Sequence, residues 1–205
     1  MTSITDKYIN LLFELMQNKF PDSGIVQAKR CLLDYIGVTL AGSNILAKKG
    51  NIYLNFFEED KDDIPIIGFN RKANLYNAAL IYGMSAHIAE LDDGIRQGSI
   101  HLGAPIISAL LPIVYRNKLT GEDLLRGIII GYEAAIRLAS AMQPSHRNKG
   151  YHTTGTCGTI GAALGIGAAL NFTREEMKNV LSVAATTASG LLNVTKGNSE
   201  LKPYN

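Results

Sequence analysis

Two histidines and three carboxylates stand within Gly83–Pro105, GMSAHIAELDDGIRQGSIHLGAP, while the flanking segments are mostly Ala, Ile, Leu and Gly. His87, Glu90 and Asp92 or Asp93 recur at near-helical spacing, so the end of one helix would present several titratable groups together. Gly94 and Gly98 are then expected to stop that helix, with His101 following in a loop. Polar loops held by rigid apolar helices are where binding groups concentrate. Three constellations compete for these residues. Glu90 beside Asp92-Asp93 resembles half of an aspartate-rich magnesium site, but Arg96 stands near the place of the third aspartate. His87, Asp92, Asp93 and His101 have the ligand types of a metal-dependent His/Asp phosphohydrolase, without its adjacent His-Asp pair. The remaining chemistry is metal-free proton transfer by His101 and a carboxylate. The structural alternative is a carboxylate that ties loop amides together beside a satisfied His87.

Gly150–Gly161, GYHTTGTCGTIG, is the second informative stretch. His152 precedes Thr153, Thr154 and a glycine-rich helix start, where backbone N–H groups and the positive end of the dipole can receive a carboxylate or phosphate. His152 would transfer a proton beside that anion; equally, the threonines would only cap the helix. Neither GxGxxG nor GxxxxGK[ST] occurs, so a phosphate loop is not expected. Cys157 has no recognisable paired base and reads as a packing residue.

These groups need a scaffold, and the chain of 205 residues reads as a single helical domain, all-α, with about eight helices, no internal repeat and no linker. Thr5 or Asp6 would cap a first helix burying Ile9, Leu12, Phe13 and Met16 and ending before Pro21. A second, from about Ser23, would bury Val26, Leu32, Leu33, Ile36 and Leu40 and stop at Ala41-Gly42-Ser43. A weaker third is expected around Leu46–Phe57, before a solvated charged run at Glu58–Asp63. Ile64–Gly68 reads as one extended surface piece without a strand partner. Further helices start at Asn74, near Ala104-Pro105 and at Thr120, the last reaching about Met142 and pairing Glu133 with Arg137. Pro144–Gly150 is expected to be a loop. Thr156–Leu170 carries Gly158, Gly161 and Gly165, which cost helix stability unless helices approach very closely there. A helix capped by Thr173 would run to about Val194.

Composition bounds the function. The chain is 46% hydrophobic and 19% charged, which suits a buried globular core and argues against disorder. A net charge of +2 without a basic block offers no footprint for nucleic acid, so an anionic partner has to be met locally. Two cysteines, Cys31 and Cys157, fit neither a disulfide framework nor a zinc site and suit a reducing compartment. No stretch reads as a signal peptide or membrane span, so the expectation is a soluble, cytoplasmic protein.

Taken together, AELDDGIRQGSIHLGAP, GYEAAIRLA, GYHTTGTCGTIGAALG and the terminal SELKPYN resemble the MmgE/PrpD family, which includes 2-methylcitrate dehydratase and cis-aconitate decarboxylase. The resemblance implies the large helical domain of a metal-independent lyase or isomerase for di- and tricarboxylates, with no cofactor, an α/β lid domain beyond this chain, and commonly a homodimer. It implies catalytic roles for His101, His152 and Lys202, and places Glu90, Asp93, Thr153 and Thr154 near the substrate. Gly94 stands where the family often has Thr, and Leu102 where Pro usually follows the histidine. Because the lid and a later site histidine would lie beyond Asn205, the chain reads as an N-terminal portion, truncated and inactive by itself. The alternatives are a shortened carboxylate-binding protein, or one regaining activity with a separate lid-supplying chain, and a helical interaction module without catalysis.

Overall fold

The structure, a computed structural model, describes residues 2–48 and 64–195. Among the described residues it is an all-α assembly of eight helices with one two-residue strand pair. The helices are α1 (Ile4–Gln17), α2 (Asp22–Lys48), α3 (Leu75–Ile88), α4 (Gly103–Arg116), α5 (Gly121–Met142), α6 (Ser145–Asn148), α7 (Thr153–Ala169) and α8 (Arg174–Thr187). No described helix is long and apolar enough to cross a membrane.

The centre of the fold is the packing of α5 on α7, with α4 across both. A Cβ on Gly161 would lie 2.7 Å from the Gly131 carbonyl, and one on Gly165 2.7 Å from the Gly127 carbonyl. The small-residue run therefore lets two backbones touch, which repays the glycine cost. Ile106, Ile107, Leu110 and Ile128 fill one side of this crossing, and Ile130, Leu164, Met177 and Leu12 the other. Arg126 closes the far end by donating from Nε to the Ala168 carbonyl at 2.8 Å.

Capping boxes start three helices, at Ser3/Asp6, Thr120/Asp123 and Thr173/Glu176. Ser3, and not Thr5 or Asp6, is the cap of α1, because Asp6 is the residue that reaches back from the third position. Asp6 also accepts from Lys178 Nζ at 2.6 Å, which joins α1 to α8. The Lys178 bond first, then the Ser3 hydroxyl, hold the Asp6 carboxyl down to about 2. A folded-state value below the unfolded one means that this clamp is complete at neutral pH and is lost as pH falls from about 4 toward about 2. Carbon-detected titration of the Asp6 carboxyl is expected to give that low midpoint, and Asp6→Asn to remove the acid-side loss of α1–α8 contacts.

Several boundaries differ from the sequence reading. The second helix does not stop at Ala41-Gly42-Ser43; α2 runs on to Lys48, so Leu46–Lys48 belong to it, and the rest of the expected third helix and the Glu58–Asp63 run lie outside the described residues. Gly42 is where α2 crosses α3, its absent Cβ leaving room for the Ser85 carbonyl. Rotation about α2 also buries Ala28, Tyr35, Val38 and Thr39, whereas Val26, Leu33, Ile36 and Leu40 face outward. Ile64–Pro65 does find a partner, pairing antiparallel with Lys72–Ala73. Pro144–Gly150 holds the single turn α6. Finally, α8 ends at Thr187 and is followed by a 3-10 turn at Leu192–Thr195.

Candidate functional site

The loop 89–102 between α3 and α4 carries the first chemical cluster. The helix ends at Ile88, well before Gly94, because Glu90 turns the chain with a φ of 54°. Ile95 and Ile100 then pair across a small hairpin whose tip, Gly98, would place a Cβ 2.8 Å from that of Ala139 on α5. Asp93 fastens this loop. Its Oδ1 accepts from the amides of Leu102 (3.2 Å) and Gly103 (2.8 Å), supplying the cap that Leu102 cannot give α4, and its Oδ2 accepts from Tyr132 at 2.7 Å. Burial, then the Asp93 charge, push the Tyr132 phenol up, so it stays a donor. Asp93→Ala would orphan all three donors, and is expected to cost about 2–4 kcal/mol in denaturant unfolding, against about 1 kcal/mol for Tyr132→Phe.

His101 closes the loop. Its amide donates to Thr154 Oγ1 at 3.1 Å, tying it to the first turn of α7. Its Nδ1 lies 2.8 Å from the Asp93 carbonyl oxygen. A carbonyl only accepts, so Nδ1 carries the proton and Nε2 is left for exchange with a ligand. Behind it, Asp92 Oδ2 is 2.6 Å from His87 Nδ1 and 3.4 Å from His101 Nδ1; the Asp92 side chain is 2% exposed and that of His101 38%.

The start of α7 forms the opposite wall. His152 is its N-cap, and the His152 amide donates to the Gly190 carbonyl at 3.0 Å. A Cβ on Gly155 would meet the Ser189 carbonyl at 2.7 Å, so the chain after α8 crosses directly over this helix start. Thr153 Oγ1 accepts from Gln143 Nε2 at 2.7 Å, and Thr156 Oγ1 bonds His146 Nε2 at 2.8 Å. Burial pushes the His146 imidazole below its ordinary value.

Between these walls lies a cavity of about 470 Å³ lined by Asp92, Arg96, His101, Arg147, His152 and Thr195, among others. His101 and His152 thus line the same cavity. Neither Arg96 nor Arg147 has an ion-pair partner among the described residues. Two imidazoles and two guanidiniums around one opening, at the positive end of the α7 dipole, have the chemistry to receive an anion with proton carriers beside it. The arginines escaped the sequence reading: Arg96 registered only as an interruption of an aspartate motif, and Arg147 not at all. The available signal was spacing, since each arginine precedes a site histidine by five residues.

The other expected residues have different places. Thr153 and Thr154 are buried behind the cavity with their hydroxyls bonded to Gln143 and His101, and Asp93 anchors the loop. Glu90 is exposed and does not line the cavity. Lys202 lies outside the described residues. His87, Asp92, Asp93 and His101 do not assemble as a metal-ligand set, and no group of three such residues does among those described. Cys157 is buried, and burial pushes its thiol up, as befits a packing residue.

The MmgE/PrpD N-terminal domain model matches residues 10–204. Similar proteins include the cis-aconitate decarboxylase-like protein oryM of Aspergillus oryzae, 27% identical over 209 residues, covering 93% of this chain and 41% of that protein. The cis-aconitate decarboxylase of Aspergillus terreus is 23% identical over 202 residues, 96% of this chain and 41% of its own length. That of Homo sapiens is 26% identical over 197 residues, 92% and 40% respectively. The chain therefore spans about two fifths of the length of the curated relatives it matches.

Proposed function

This chain belongs to the MmgE/PrpD family, and we propose that within it the chain is the helical portion of a metal-independent lyase or isomerase for di- or tricarboxylates, cis-aconitate being the first substrate to test. The observation that carries this reading is the convergence of His101, His152, Arg96 and Arg147 on one cavity. A guanidinium stays charged at any working pH and binds carboxylate through paired N–H donors, so the arginines would hold two carboxylates of one molecule. His101, with Nδ1 committed to the Asp93 carbonyl, would take or deliver a proton through Nε2 at the carbon beside a held carboxylate. His152, across the cavity, would serve the opposite proton transfer. Proton removal there, with a neighbouring hydroxyl protonated by the second histidine and leaving as water, would be dehydration; departure of a carboxylate as CO2, with the carbanion left behind taking a histidine proton, would be decarboxylation; removal on one face and return on the other would be epimerisation. Lys202 would add a third cation.

With the His101 side chain 38% exposed, the cavity is wet, and water weakens every electrostatic contribution to the transition state. A covering polypeptide, either a lid-supplying chain or further residues of a longer product, together with a second copy of the chain, belongs to the same proposal. The test is turnover of cis-aconitate by the polypeptide as its source cell makes it. His101→Gln is expected to lower kcat by about 10²–10⁴-fold, and dialysis against a chelator to leave the parent rate unchanged. An unaltered kcat in His101→Gln, or a rate lost to the chelator and restored by metal, would overturn the reading.

A further inference from the structure

His87 and Asp92 are buried titratable groups that the chemistry above does not use, and their arrangement is specific. The His87 side chain is 6% and that of Asp92 2% exposed, and Oδ2 of Asp92 faces two imidazoles: His87 Nδ1 at 2.6 Å and His101 Nδ1 at 3.4 Å. The two rings meet edge to face with centroids 5.3 Å apart. Nε2 of His87 and Oδ1 of Asp92 have no partner among the described residues. An acceptor nitrogen is cheaper to bury unpaired than an N–H, which places the His87 proton on Nδ1, toward Asp92.

The geometry points to Asp92 and His87 as positioning residues: His87 holds the Asp92 carboxylate, and the carboxylate, with the Asp93 carbonyl, holds His101 in the Nδ1–H form that turns Nε2 to the cavity. The arrangement also accounts for a carboxylate on the wall of an anion site. Its charge is directed at imidazole protons, not at the ligand, as in metal and hydrolase sites where the partner of one ring nitrogen sets what the other can do. His87 belongs to the last turn of α3, Asp92 to the loop and His101 to the entry of α4, so the pair also locks the loop to both helices.

The catalytic meaning of this pair rests on the proposed proton transfer by His101, but its structure is testable without turnover. Long-range ¹H–¹⁵N correlation on this chain, at a pH where the imidazoles are neutral, reads the tautomer of each histidine. The parent is expected to show His87 and His101 as Nδ1–H forms. Asp92→Asn, which keeps the shape and removes the charge, is expected to lower the ratio of Nδ1–H to Nε2–H at His101 about threefold. An unchanged ratio in folded Asp92→Asn overturns the proposal. Should that variant not fold, the parent spectrum decides, because an Nε2–H form at His87 is incompatible with the pair and overturns it, whereas an Nδ1–H form supports it. Calorimetric binding of a tricarboxylate to the parent, read separately, reports on the anion site whatever the tautomers show.

Discussion

Replacing Arg96 and Arg147 together with Ala is expected to weaken tricarboxylate binding by about a hundredfold. A hydrogen bond to a charged group contributes about 1.5–3 kcal/mol, and both arginines are exposed enough that the lower figure applies to each. At about 1.4 kcal/mol per factor of ten, two such losses multiply to two decades. The fold is expected to survive, since neither guanidinium has an ion-pair partner among the described residues. Calorimetry of the double variant beside each single one separates the contributions. Lysine replacements should recover the charge but not the paired donors, and so restore affinity only in part. Undiminished binding in the double variant would remove the arginines from the site.

The second large effect concerns the scaffold. An alanine in place of glycine inside a helix ordinarily stabilises it by about 1 kcal/mol. At Gly37 of α2 a Cβ would meet nothing within 4 Å, so Gly37→Ala should follow that rule. At Gly42 of the same helix a Cβ would stand 1.7 Å from the Ser85 carbonyl oxygen, an overlap that only a shift of α2 from α3 can relieve. Gly42→Ala is therefore expected to destabilise by about 3 kcal/mol or more, reversing the sign within one helix. Denaturant unfolding of the two variants checks this. A stabilised Gly42→Ala would mean that α2 and α3 do not cross as described. Because α3 carries His87 at its end, the same variant should also disturb the loop of Asp92 and His101.

What could be read in the sequence was what local chemistry specifies. Thr120 and Thr173 announce helix starts because the cap and the residue three positions on satisfy each other's backbone. The glycines of α7 announce a close helix contact because nothing else offsets their cost. His101 and His152 stand in polar, glycine-bounded stretches that the sequence singles out, and both line the cavity. The misreadings come from tertiary context. On α2, apolar Leu33, Ile36 and Leu40 face outward while Thr39 and Ser43 are buried, their hydroxyls bonded to the Tyr35 and Leu40 carbonyls; hydropathy alone chooses the wrong face. The end of α3 is set by Glu90 in a left-handed conformation, which no glycine marks. The threonines of α7 are buried, and their hydroxyls accept from the His101 amide and the Gln143 side chain, contacts that only the fold reveals. Arg147 lies on a polar turn whose side chains carry no periodic signal, so only the fold shows that it lines the same cavity as His101.

The claim on which the rest depends is that this chain presents a polycarboxylate site between loop 89–102 and the start of α7. Titrating the isotopically labelled chain with a tricarboxylate and following side-chain resonances of arginine, histidine and lysine tests it most directly. The account predicts saturable shifts at Arg96, His101, Arg147 and His152, with His87 moving only through Asp92 and His146 unaffected. Shifts absent from those four groups, or centred instead on the lysines at the ends of α1 and α2, would contradict it.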